Sequence, residues 1–109
     1  MSNVIGKLID KIGLRITCYI ANEKDAKKVK SWADGTVVPD IDQMEILVVT
    51  NMIVDEFEAR ESVELARTFL TGTMYADDFN AVAPAEALRQ GRINEVMAHK
   101  NRVLNGEWD

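Results

Sequence analysis

The chain has 109 residues, of which 47% are hydrophobic and 28% charged, with one cysteine, one histidine and a formal net charge of −5. That length fits one domain or two tightly packed halves around a modest core, and a lone cysteine excludes an internal disulfide. No apolar run approaches the ~18 residues of a membrane span and no basic-apolar-small leader is present, which predicts a cytoplasmic protein with no membrane partner.

The charge is unevenly placed. Up to Asp40 there are seven Lys/Arg against five Asp/Glu, a balance of +2, whereas from Ile41 onward there are six against thirteen, a balance of −7. Any contact with nucleic acid is therefore expected in the N-terminal part, and the acidic remainder is expected to face something else.

In chain order, Val4, Ile5, Leu8, Ile9 and Ile12 place an apolar stripe on a short helix whose other side carries Lys7, Asp10 and Lys11, with Gly13 as terminator. A second helix follows from about Leu14 to Ala21, with Ile16, Tyr19 and Ile20 as its expected buried contacts. Cys18 lies in this pattern and is read as a small buried hydrophobe. Asn22 suits the left-handed conformation that ends the helix, and Asp25 can cap the next.

That third helix, DAKKVKSWADG, puts Ala26, Val29 and Ala33 on one side, Trp32 at its edge, and Lys27, Lys28 and Ser31 on the other, before Gly35 stops it. Helix, short turn and second helix with a lysine-bearing outer face is the layout of a helix-turn-helix. Lys24, Lys27, Lys28 and Lys30 can neutralise phosphates, and Ser31 is short enough to approach base edges. The bland alternative is a surface helix whose lysines simply oppose its apolar face.

The longest apolar stretch, Asp40 to Glu58, is rich in β-branched residues yet too long for an ordinary strand. Ile46, Val49, Ile53 and Phe57 recur at helical spacing, Asp40 with Gln43 resembles a capping box, and Pro39 lies where a staple could meet Met44. Leu47, Val48, Met52 and Val54 widen the apolar stripe, so this helix is expected to be a buried spine exposing only its acids.

Ser62 can cap a helix to Leu70 that turns Val63, Ala66, Phe69 and Leu70 inward and ends at Gly72. TMYADDFNAVA has no clean period and reads as an ordered loop anchored by Met74, Tyr75 and Phe79; Asp77 and Asp78 read as solvated carboxylates, not as metal ligands. Pro84 opens a short helix that Gly91 ends, and the last helix, Arg92 to about Asn105, carries Ile93, Val96, Met97 and Leu104 on one face. Trp108 either tucks back onto the domain or waits for a partner.

Two stretches together resemble one family. YIANEKDAKKVKSWADG resembles the Xre-type helix-turn-helix of the Xre/MbcA/ParS antitoxins, and ESVELARTFLTG, the loop and APAEALRQGRINEVMAHKNRVL resemble the toxin-binding domain that follows it there. The resemblance covers roughly Gly13 to Gly106. It implies an all-α protein that neutralises a cognate toxin, commonly a RES-domain enzyme that depletes NAD, and represses its own operon; a homodimer of the basic half is then expected to read a palindromic operator. On this reading the chain divides into residues 1–40, a helix-turn-helix-like DNA-reading part, and 41–109, the central helix and toxin-binding region. Lys24, Lys27, Lys28, Lys30 and Ser31 would read DNA. Pro84, Leu88, Arg89, Gly91, Arg92, Val96 and Trp108 would form or support the toxin-binding surface. Asn22 departs from the family's frequent glycine, and a longer acidic loop replaces its usual asparagine-proline turn.

Two other readings stay open: a helix-turn-helix regulator without a toxin partner, and an interaction module that has lost DNA binding. An enzyme is the weakest reading. The sequence has no nucleophile-base pair, no phosphate loop and no metal cluster, and neither cofactor nor metal is called for by a lone Cys18 and a lone His99, which is assigned a surface or interface role.

Overall fold

The structure, a computed structural model, describes residues 3–72, 74–75 and 81–106. Asp77, Asp78, Phe79 and Trp108 lie outside the described residues, as do the side chains of Met74 and Tyr75. The fold is all-α, in agreement with the sequence. Its helices are α1 (Val4–Ile12), α2 (Leu14–Ala21), α3 (Ala26–Asp34), α4 (Ile41–Arg60), α5 (Val63–Thr71), α6 (Pro84–Arg89) and α7 (Ile93–Leu104). The one departure in class is a minimal antiparallel ladder of β1 (Met74–Tyr75) and β2 (Ala81–Val82), where a loop was expected.

Local signals set most of the boundaries. Asp25, Asp40 and Ser62 each accept a backbone N–H from the first turn of the helix they precede, satisfying donors that a helix start leaves orphaned. Asp40 and Gln43 form the full capping box. Gln43 does more than that, because its Nε2 also donates to the Ala21 carbonyl at 3.1 Å and ties the start of α4 to the end of α2. Gly35 and Gly91 take positive φ at 82° and 81°, the conformation in which a side chain would be strained.

The spine reading of α4 holds in its essentials. It packs against α1, α2, α5, α6 and α7, and buries Leu47, Thr50, Ile53, Val54 and Phe57. Phe57 meets Phe69 of α5 with ring centroids 4.9 Å apart, within the range where aromatic pairs add to area burial. One part of the expectation fails. Ile41 is 85% exposed, Met52 56% and Val48 37%, so solvent reaches apolar side chains as well as acids. A helix with apolar residues around most of its circumference cannot bury them all when its neighbours leave one side open.

Two other phases are corrected. Tyr19 is 40% exposed, and α2 instead buries Thr17, Ile20 and Ala21. Thr17 can be buried because its hydroxyl donates to the Gly13 carbonyl at 2.8 Å, leaving no unmet hydrogen bond. On α3, Trp32 sits at the centre of the buried face with Val29, whereas Ala26 lies outside.

Charged ties close the bundle. Lys11 Nζ reaches Asp55 at 2.9 Å and Glu58 at 2.7 Å, joining α1 to α4, and Arg67 Nε donates to the Lys11 carbonyl at 2.6 Å. The hydrogen bond to Glu58, then that to Asp55, holds the Lys11 ammonium above its ordinary pKa. That stabilisation is present below the unfolded value of 10.5 and is lost as pH rises through the folded one. Lys100 of α7 is buried and its Nζ donates to Glu56 Oε1 at 2.5 Å. This bond, ahead of Arg60, holds the Glu56 carboxyl below its ordinary value.

The Glu56–Lys100 tie yields a test by urea unfolding. Glu56→Gln leaves a buried ammonium without its carboxylate; breaking a fully buried pair costs about 3–5 kcal/mol. With Glu56 36% exposed, solvent screening reduces this, and the expected loss at neutral pH is about 1–2 kcal/mol. Lys100→Met, which removes the buried charge itself, is expected to stay within about 1 kcal/mol of wild type. The Glu56→Gln deficit should shrink as pH falls through the depressed Glu56 pKa, because that contribution exists only above it.

Candidate nucleic-acid interface and docking surface

The helix-turn-helix layout is built from the inside out. Ile5, Leu8 and Ile12 of α1, Ile20 and Ala21 of α2, and Val29 and Trp32 of α3 form the buried contacts of the first three helices. Asn3 secures the assembly at one end: its Oδ1 accepts the Gly6 N–H at 2.8 Å and its Nδ2 donates to the Trp32 carbonyl at 2.7 Å. Fixing Val29 and Trp32 inward leaves Lys27 on the opposite side of α3, with Lys28 and Lys30 flanking it.

The structure exposes all four predicted lysines, Lys24, Lys27, Lys28 and Lys30. Lys28 lies 3.5 Å from Glu23, yet is itself half exposed, so the pair is a weak surface bridge that leaves the ammonium free to move. Among the described residues, no carboxylate pairs with Lys24, Lys27 or Lys30. The Asp25 carboxylate is directed to the Lys27 backbone N–H at 3.0 Å as the helix cap. Ser31 is half-buried and its hydroxyl donates to the Lys27 carbonyl at 3.0 Å, so its only remaining role toward a base is as acceptor.

The residues carried over to the docking surface divide sharply. Pro84, Leu88 and Val96 are buried and shape the α6–α7 corner from within. Gly91 is exposed at the corner, and Arg92 beside it engages Gln90 and Glu95. Arg89 is held against α2. Its guanidinium lies 4.6 Å over the Tyr19 ring, and Nε and Nη2 both donate to Asn22 Oδ1, at 3.1 and 2.6 Å.

This contact closes one side of a groove of about 210 Å³ lined by Arg15, Cys18, Tyr19, Asn22, Glu23, Lys24 and Arg89. Sequence reasoning missed the groove, although Arg15, Cys18, Tyr19 and Asn22 stand at the spacing of one helical face. Cys18 is only partly buried, and burial, then Glu23 and Asp25, raises its thiol pKa, so it is not activated as a nucleophile. His99 stacks on Phe69 at 5.4 Å, and burial pushes its pKa down. Among the described residues, no group of three or more His, Cys, Asp or Glu is placed to hold a metal, and no helix is long and apolar enough to cross a membrane.

No protein-family model matches the chain, and neither a curated protein nor a solved structure matches it.

Asn22 takes φ 57° and ψ 42°, which asparagine tolerates far better than most residues. Asn22→Ala is expected to lower the free energy of unfolding by about 1–2 kcal/mol through left-handed backbone strain. Asn22→Gly keeps the turn, and should stay within about 0.5 kcal/mol of wild type while releasing Arg89. Equal losses for the two, read by urea denaturation, would show that the side-chain bond and not the backbone governs this position.

Proposed function

We propose that the protein is an antitoxin of a toxin-antitoxin pair: it binds and neutralises a cognate toxin, of the RES-domain type that the resemblance implies, and represses its own operon through α2 and α3. The observation that carries this reading is the lysine face of α3, fixed outward by the burial of Val29 and Trp32. Lys27 and Lys30, with no acid partner among the described residues, and Lys28, only weakly bridged to Glu23, suit phosphate neutralisation along a major groove from the second helix of a helix-turn-helix. The toxin-binding half is supported by the sequence resemblance and by the acidic balance from Ile41 onward; the corner at exposed Gly91 and half-buried Arg92, backed by Pro84, Leu88 and Val96, is its docking surface in this reading.

A second copy belongs to the same reading, because a two-fold operator is met by a two-fold protein. The exposed row of Val38, Ile41, Val48 and Met52, in the α3–α4 connection and along α4, supports it. Sedimentation of wild type as a dimer and of Val48→Lys/Met52→Lys as a folded monomer is the expected outcome; a monomeric wild type removes this part of the proposal.

The main test is co-expression with the product of the adjacent gene. That product alone should arrest growth, the pair should grow, and the two proteins should purify together. Lys27→Glu/Lys28→Glu should abolish retardation of DNA from the upstream region and leave toxin neutralisation intact. A harmless neighbouring gene product overturns the antitoxin reading, and retained DNA binding by the doubly reversed variant overturns the assignment of α3.

A further inference from the structure

We propose that the groove between α2 and α6 seats a phosphate of the DNA backbone, gripped by Arg15, Lys24 and Arg89. The inference rests on the DNA-reading proposal above and enlarges it. DNA contact would then come from both parts of the chain, not from the N-terminal part alone.

Charge is the first argument. Three cations line the groove against one carboxylate, Glu23. Glu23 is already engaged, with Lys28 at 3.5 Å and with the Asp25 N–H at 3.2 Å. Among the described residues, Arg15, Lys24 and Arg89 have no carboxylate within ion-pair distance. A concave site lined by unpaired cations concentrates anions.

Geometry is the second argument. Tyr19 covers one face of the Arg89 guanidinium, and the neutral Asn22 oxygen takes its Nε/Nη2 edge. The planar group is thus held by its face and one edge without its charge being cancelled. Its Nη1/Nη2 edge keeps two N–H donors side by side, the fork that matches two oxygens of one phosphate. Because the guanidinium is already ordered, little of its side-chain entropy remains to be lost on binding.

Continuity is the third argument. Lys24 belongs both to the groove and to the exposed lysine set, and Glu23 joins the groove wall to Lys28. A duplex lying along α3 would carry its backbone toward α2, the helix that crosses the backbone in this motif. An acidic peptide or free inorganic phosphate offers related oxygens, and the experiment separates them.

A phosphate contact is independent of sequence, so a mixed-sequence DNA duplex serves as probe. Binding is titrated over a range of salt concentrations for the full chain and for Arg15→Gln, Arg89→Gln, Lys27→Gln and the control Arg102→Gln, on α7 outside the groove. All four variants are checked for wild-type helix content. Each groove variant should lower the slope of log K against log[salt], by up to the ~0.9 that complete loss of the one phosphate contact gives. The Arg102→Gln slope should equal that of wild type.

A wild-type slope for Arg89→Gln, with a reduced slope for Lys27→Gln, overturns the groove assignment and leaves the α3 reading standing. No duplex binding by wild type overturns both. Weakened toxin capture by Arg89→Gln, with an unchanged duplex slope, assigns the groove to an acidic protein segment instead. Saturation of the groove by inorganic phosphate, followed by the Asn22 and Arg89 amide resonances, with an unchanged duplex slope, assigns it to a free anion.

Discussion

One constraint governs this molecule: α4 has to be a wall for two groups of helices at once. Its 20 residues present Leu47, Thr50, Ile53, Val54 and Phe57 to the interior, and α1 and α2 lean on it from one part of the chain while α5 and α7 lean on it from the other. Apolar burial is non-directional, so it brings these groups together without fixing their rotation. Directional bonds fix it: Lys11 to Asp55 and Glu58, Lys100 to Glu56, and Gln43 to the end of α2. Lysines bonded at set points along α4 orient the elements that carry the lysine face and the α6–α7 corner.

The legible part of this fold is the local part. Caps at Asp25, Asp40 and Ser62 and the left-handed Asn22 are decisions made within a few residues, where hydrogen bonding and backbone sterics act directly. Where apolar spacing alone points a side chain inward, packing elsewhere decides otherwise. The pattern of Ile16, Tyr19 and Ile20 points Tyr19 inward, but α2 buries Thr17, whose hydroxyl is met within its own helix. Val48 and Met52 were sent inward because α4 is apolar nearly all round, and a helix of that kind has no period to say which side stays open. The burial of Lys100 has no local signature, because it is tolerable only through Glu56, 44 positions away.

The candidate surfaces follow the same division. Lys27, Lys28 and Lys30 were readable because an amphipathic helix assigns its faces by spacing alone. The groove was not, because its organising contact joins Asn22 to Arg89 across 67 positions. Only the Arg15, Cys18, Tyr19 and Asn22 row left a trace in the sequence, and nothing in that row names its partner from α6.

Of the residues expected to form a toxin-binding surface, three are interior ones. Pro84, Leu88 and Val96 are buried, so their part in the structure is to fold the α6–α7 corner. At the surface of the corner lie Gly91, exposed, and Arg92, half-buried beside Gln90 and Glu95, while Arg89 packs on Tyr19 of α2. Residues one turn apart on a short helix and its exit can thus serve different neighbours. In this chain Arg89 binds the turn between α2 and α3, which makes the seam between the two parts a surface shared by both. A partner that displaced the α6–α7 corner would have to break a cation–π contact and two hydrogen bonds at that seam, and would disturb the exit of α2 as it did so.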